Sequence, residues 1–148
     1  MTEYVWVGTS GWVYPHWKGC FYPEHLPTRE QLGYYACAFP TVEINRSFYR
    51  LPTFEQFQGW AAQVTPSPEF RFAVKASRFI THLKKLNDPQ ESVSRLLAAA
   101  SGLGSHLGVF LYQLPPGWHA DPARLEVFLA HLPPKYPAAF EFRDPSWF

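Results

Sequence analysis

Hydrophobic and polar positions follow two rhythms that take turns along the chain. Residues 4–8, 41–45, 70–76, 108–114 and 138–143 are rich in β-branched and aromatic side chains and are bounded by glycine, proline or asparagine, which predicts five strands. Between them apolar residues return at helical spacing; Phe54, Phe57, Trp60, Ala61 and Val64 fall on one face. Helices are predicted over 28–38, 54–64, from 89 to a glycine at 102 or 104, and over 123–132. Their starts carry capping signals: Thr28 with Gln31, Thr53 with Gln56, Asp88-Pro89 with Glu91, and Asp121-Pro122. Their ends carry prolines at Pro40, Pro66 and Pro133, which remove a donor and bias the residue before them. Asp144-Pro145 repeats the start signal, and the chain stops four residues further on, at Phe148.

Strictly alternating strand and helix predicts a parallel sheet with right-handed crossovers. Two architectures satisfy that pattern. An open doubly wound sheet buries both faces of its central strands, so those strands read as apolar throughout. Here each strand carries polar residues near its C-terminal end, which is the signature of a barrel mouth. The expected fold is α/β, a TIM-like (β/α) barrel in one domain over residues 1–148. A barrel of this kind needs eight βα units and about 250 residues, so five units make a partial barrel.

Composition narrows the class. At 47% hydrophobic the chain is globular, and a net charge of +1 gives no global field to attract nucleic acid. Cys20 and Cys37 form no C-x-x-C, which points to free thiols in a reducing, cytoplasmic setting. The N-terminus lacks a basic region followed by an apolar run, so it reads as a strand and not a signal peptide. No apolar run approaches about 18 residues, and no membrane partner is expected.

In a parallel sheet all strand ends face one way. Ser10 just past the first strand, Glu43 and Asn45 on the second, Lys75 on the third, Gln113 on the fourth, and Glu141 with Arg143 on the fifth therefore converge on one rim. Two carboxylates there can serve as general acid and base. A lysine can clamp an anion or, if desolvated, act as a nucleophile, and an arginine grips phosphate or carboxylate with two parallel bonds. Glu43, Lys75 and Glu141 are the catalytic candidates; Ser10, Asn45, Tyr49, Gln113, Arg143 and Trp147 are the substrate-binding candidates. The competing reading is a paired structural network. Aromatics after the strand ends (Trp12, Tyr14, Trp17, Phe48, Tyr49, Trp118, Trp147) either stack on sugars or bases or fill the mouth as local core. The basic stretch 78–85, with Arg46 and Arg50, offers a phosphate or nucleic-acid surface, or simply a solvated loop.

Several motifs are absent. Residues 102–108 are not a dinucleotide fingerprint and precede a strand, and Gly8 to Trp12 is not a nucleophile elbow, because Trp12 takes the place of the last glycine. The six histidines are scattered and none falls at a predicted strand end. No cofactor is expected; a divalent metal between Glu43 and Glu141 stays open.

The motifs Val7-Gly-Thr-Ser-Gly-Trp12, Thr41-Val-Glu-Ile-Asn45, Ser47-Phe-Tyr-Arg50, Phe72-Ala-Val-Lys-Ala76, Phe79-Ile-Thr-His82, Phe110-Leu-Tyr-Gln-Leu-Pro-Pro116, Phe140-Glu-Phe-Arg143 and Pro145-Ser-Trp-Phe148 run in order along the chain. In these the chain resembles domain of unknown function 72, the YecE-like family. The resemblance implies a TIM-like barrel and no established reaction. It also implies further strands beyond the last motif, so the chain reads as truncated after its fifth strand. Two consequences are expected: open sheet edges that favour self-association or a complementary chain, and a fragment that is catalytically inactive alone even if the parent barrel is a hydrolase or isomerase. The function expected is binding of a small anionic, sugar-like or phosphate-containing substrate at the strand ends. The alternatives are a nucleic-acid or phospho-ligand module, or a fragment without function.

Overall fold

The computed structural model describes residues 5–148. Five parallel strands lie side by side in sequence order: β1 (Gly8–Ser10), β2 (Thr41–Ile44), β3 (Arg71–Lys75), β4 (Leu107–Gln113) and β5 (Ala138–Glu141). Sequential order is what distinguishes a barrel wall from a doubly wound sheet, whose order reverses at its centre. The helices α1 (Gln31–Ala38), α3 (Phe54–Gln63), α4 (Pro89–Ala100) and α5 (Pro122–Leu129) fill the crossovers, and a single turn, α2 (Arg46–Tyr49), follows β2 directly.

The strands alternate in burial. Val42 and Ile44, Phe72 and Val74, and Phe110 and Tyr112 are buried, and pack with Leu32, Tyr35, Phe57, Val93, Leu96, Leu103 and Phe128 in the layer between sheet and helices. Thr41 and Glu43, Ala73 and Lys75, and Leu111 and Gln113 are half-buried on the other face. The core thus lies on the helix side, and the polar residues share the opposite face. β1 and β5 each have a strand neighbour on one side only among the described residues.

The aromatic loop after β1 is largely packed inward. Trp17 meets Tyr14, Phe21, Tyr22 and Tyr35, and Trp12 sets its edge on Trp60 of α3, 5.5 Å between centroids. Tyr35, fully buried, knots this region to the sheet. Its hydroxyl accepts from Thr9 N at 2.9 Å and donates to Thr41 O at 3.0 Å. Replacing Tyr35 with Phe leaves both backbone groups short of a partner. We expect a loss of about 1–2 kcal/mol in urea unfolding, with unchanged secondary structure by circular dichroism.

Several element boundaries differ from those expected. The first strand begins at Gly8 and includes Ser10; the part of the prediction falling on Tyr4 lies outside the described residues. The box at Thr28 does not form. Residues Thr28–Glu30 make a 3-10 turn, and only the Thr28 carbonyl takes part, accepting from Gln31 N. The box at Thr53 and Gln56 forms in full, and Asp121 caps α5 by accepting from Arg124 N at 3.0 Å. Asp88 does not cap α4. Its backbone is left-handed (φ 44°), following Lys85 and Leu86 in the same region, and its carboxylate meets Lys84 Nζ at 3.2 Å. Asp144 starts a 3-10 turn, Pro145–Trp147, by accepting from Ser146 N. Both cysteines are free and exposed. No helix among the described residues is long and apolar enough to cross a membrane.

Candidate functional site

The strand register brings the polar residues to one level. Ser10 pairs with Glu43, and Gln113 pairs with Glu141. Glu43 pairs with Ala73, and Lys75 stands two residues beyond that partner. Lys75 pairs with Leu111, and Gln113 stands two residues beyond in turn. The set therefore climbs four residues over the four steps from β1 to β5. In a barrel of eight strands with a shear of about eight, a ring at constant height climbs about one residue per strand. Ser10, Glu43, Lys75, Gln113 and Glu141 thus form an arc of one rim.

Two pairs hold the carboxylates. Ser10 Oγ donates to Glu43 Oε1 at 2.9 Å. Gln113 Nε2 donates to Glu141 Oε2 at 2.9 Å, and Arg143 Nε approaches Glu141 Oε1 at 3.5 Å. Lys75 makes no ion pair among the described residues; its Nζ sits over the Phe48 ring, 4.9 Å from the centroid. The Asn45 amide forms no hydrogen bond there either, and its Oδ1 is buried. Glu141 thus pairs with Arg143, and neither Glu43 nor Glu141 pairs with Lys75.

Local structure explains this placement. Asn45 follows β2 and stands at the N-terminal boundary of α2. Ser47, fully buried on that turn, donates toward Ile44 O at 2.7 Å and Lys75 O at 2.6 Å. It fastens the turn to the ends of β2 and β3 together and so delivers Phe48 beside Lys75. Sequence reading missed Ser47, because its alternation-based strand stopped at Asn45 and gave no sign of a helical turn.

The outlying candidates divide. Tyr49, on α2, is 69% exposed, with its ring edge against Phe48. Trp147 is engaged locally: it stacks on Phe142 at 4.7 Å and donates Nε1–H to Trp118 O at 3.0 Å. In the basic stretch, Lys84 pairs with Asp88, while Arg78 makes no ion pair among the described residues.

One further group reaches the rim. Residues Phe79–Leu83 form a π-helical turn, and His82 on it meets the Phe48 ring edge-on, 5.0 Å between centroids. Burial, followed by Arg78, Lys75 and Arg143, holds the His82 ring below the ordinary histidine range. In the sequence His82 stood in the Phe79-Ile-Thr-His82 motif and the basic stretch 78–85, but away from any strand end. Among the described residues no three of His, Cys, Asp and Glu gather as metal ligands would.

Comparison with known proteins agrees with this fold. The chain is 28% identical to the UPF0759 protein YunF of Bacillus subtilis (strain 168) across 97% of its own length, and spans 52% of that relative. It therefore covers about half the length of the curated relative it matches. A DUF72 family protein from Thermotoga maritima MSB8 superposes with a TM-score of 0.77 at 32% identity, over 98% of this chain and 58% of that one. A DUF72 family protein from Enterococcus faecalis V583 gives a TM-score of 0.68 at 26% identity, over 78% of this chain and 49% of that one. The sequence model for the protein of unknown function DUF72 matches residues 6–148, and the chain belongs to that family.

Proposed function

We propose that this chain supplies the acid–base part of a barrel mouth that binds a small anionic or sugar-like substrate. Glu43 and Glu141 serve as acid and base, Lys75 and Arg143 hold the anion, and Ser10, Asn45 and Gln113 orient the substrate. The supporting observation is the level arc together with its incomplete pairing. The rim is only half-buried, so a charge left unpaired there stays partly solvated and free to meet a ligand. Here Lys75 lacks a carboxylate and Asn45 lacks a partner among the described residues, and each glutamate keeps acceptor capacity. A ligand that brings negative charge and hydroxyl groups would satisfy all of these at once.

Thermal melts with inorganic phosphate, sugar phosphates, neutral sugars, oligonucleotides and divalent ions test the proposal. A ligand at about 100 times its dissociation constant stabilises by about 2.7 kcal/mol. We expect phosphate-bearing small molecules to raise the midpoint, and Glu43→Gln and Glu141→Gln to keep that shift while abolishing turnover of any substrate so found. A panel that leaves the midpoint unmoved would return the charges to a structural role. A shift from oligonucleotides alone, lost in a Lys84→Ala, Lys85→Ala double variant, would favour a nucleic-acid module.

A further inference from the structure

His82 has no part in the strand-end pattern, yet the fold brings it to the mouth. The π-helical turn that carries it is a rare geometry that is frequent at functional sites. The fully buried Thr81 donates its hydroxyl to Ser77 O at 3.4 Å, so its Oγ1 accepts from His82 Nδ1–H at 2.8 Å; the ring is oriented, and Nε2 is the unprotonated nitrogen, without a partner among the described residues. Phe48 contacts both His82, in a T-shaped pair, and Lys75, whose Nζ lies over its ring. The charges that act on the ring come from Arg78 on its own loop, Lys75 on β3 and Arg143 after β5, and all three are positive. Arg46 shares the α2 turn with Phe48. The rim carboxylates are occupied elsewhere, Glu43 with Ser10 and Glu141 with Gln113 and Arg143.

We infer that Lys75, Arg78 and Arg143, with His82 beside them, form a site for a doubly charged oxyanion of the phosphate class, and that His82 Nε2 gains a proton when the anion arrives. This rests on the mouth being an anion site, and adds Arg78, His82 and the charge of the ligand to that reading. The charge follows from counting partners. Arg143 is shared with Glu141, whereas Lys75 and Arg78 have no ion pair among the described residues. A single carboxylate can meet only one of the half-buried Lys75 and the exposed Arg78, whereas a dianion can meet both. The proton comes from solvent and lands on Nε2, and no other bond changes. In the free chain three cations and burial disfavour the charged ring. A bound dianion offsets the cations and offers Nε2–H an acceptor, so the ring binds its proton more tightly in the complex than in the free chain. Affinity therefore rises as pH falls through the window between the free and bound values, about tenfold for each unit by which they differ.

Inorganic sulfate is the probe, because it stays doubly charged between about pH 5 and pH 8, where histidine titrates. The histidine rings of the 15N-labelled chain are followed by two-bond proton–nitrogen spectra across that range, with and without sulfate, and His82 is assigned by its missing signal in His82→Gln. We expect the His82 titration to start below the ordinary range and to move up with sulfate, while the other rings do not respond. Sulfate affinity by calorimetry should rise toward low pH in the parent chain. It should be flat in His82→Gln, at the parent's value for pH 8, and at least tenfold weaker in Arg78→Met. Sulfate binding with an unmoved His82 would overturn the proton-coupled site and leave the anion-binding mouth standing. An equal movement of all histidines would mean salt screening and would overturn the proposal. No binding of sulfate or phosphate at any pH would overturn this site and the anion reading beneath it. Should His82→Gln fail to fold, as judged by its melt, His82 is assigned in the parent by its through-space contact with the Phe48 ring, and the parent titration decides.

Discussion

Gly8→Ala is expected to detach β1 from the sheet and to carry Ser10 away from Glu43. A Cβ at Gly8 would clash with the carbonyl oxygen of Thr41 and lie 2.8 Å from its carbon and 2.9 Å from its Cγ2. The two nearest are backbone atoms of the residue paired with Gly8 on β2, so moving a side chain aside would not relieve the clash. The same carbonyl accepts from Tyr35, which resists a shift of the backbone. β1 spans three residues and has no ladder to spare. Overpacking costs about 1–3 kcal/mol and occasionally more; a clash of backbone on backbone belongs at the upper end, about 3 kcal/mol. Urea unfolding followed by tryptophan fluorescence measures it. An alanine variant within about 0.5 kcal/mol of the parent would show that β1 does not pack against Thr41 as described. The functional consequence is separate and also measurable, since the variant loses the Ser10 bond that holds Glu43 in the arc.

The second large effect is on binding and not on folding. Lys75→Met should weaken phosphate or sulfate binding about tenfold to a hundredfold, matching the roughly 1.5–3 kcal/mol of a charge-assisted contact. The melt of the free chain should hardly change. Lys75 makes no ion pair among the described residues, methionine keeps most of its length, and the bond from Ser47 goes to the Lys75 carbonyl, which the substitution leaves in place. Isothermal titration beside a thermal melt separates the two. A variant that loses stability but not affinity would make Lys75 a structural residue. A variant that keeps both would remove it from the site.

What the sequence made legible follows from physical range. Strand and helix order rests on local periodicity, and it was readable to within a few residues at each boundary. The box at Thr53 and Gln56 and the cap at Asp121 rest on contacts three residues apart, and both form. Asp88 carries the same local signal but lies in a left-handed run tied to Lys84, a choice made by the preceding turn. Thr28 failed in a similar way, because Pro27 starts a 3-10 turn ahead of it. Face and rim were legible because parity on a strand is exact, which is why Ser10, Glu43, Lys75, Gln113 and Glu141 were named together. Their partners were not legible. That Glu43 meets Ser10 and not Lys75 depends on the stagger between strands, which no single strand encodes. His82 and Ser47 were missed for a related reason: each is placed by a turn whose hydrogen-bond pattern leaves no periodic trace.

The tryptophans give the two margins of the sheet separate optical signatures. Trp12, just after β1, couples to Trp60 with their planes at 83°. Trp118 and Trp147, after β4 and β5, face each other at 75° and 5.8 Å. Indole pairs this close and this tilted give exciton couplets from their intense far-ultraviolet transition in circular dichroism, and phenylalanine at Trp60 or Trp147 removes one couplet at a time. Opening of the β1 margin and opening of the β5 margin can then be recorded as distinct spectral events in one sample, without any added label.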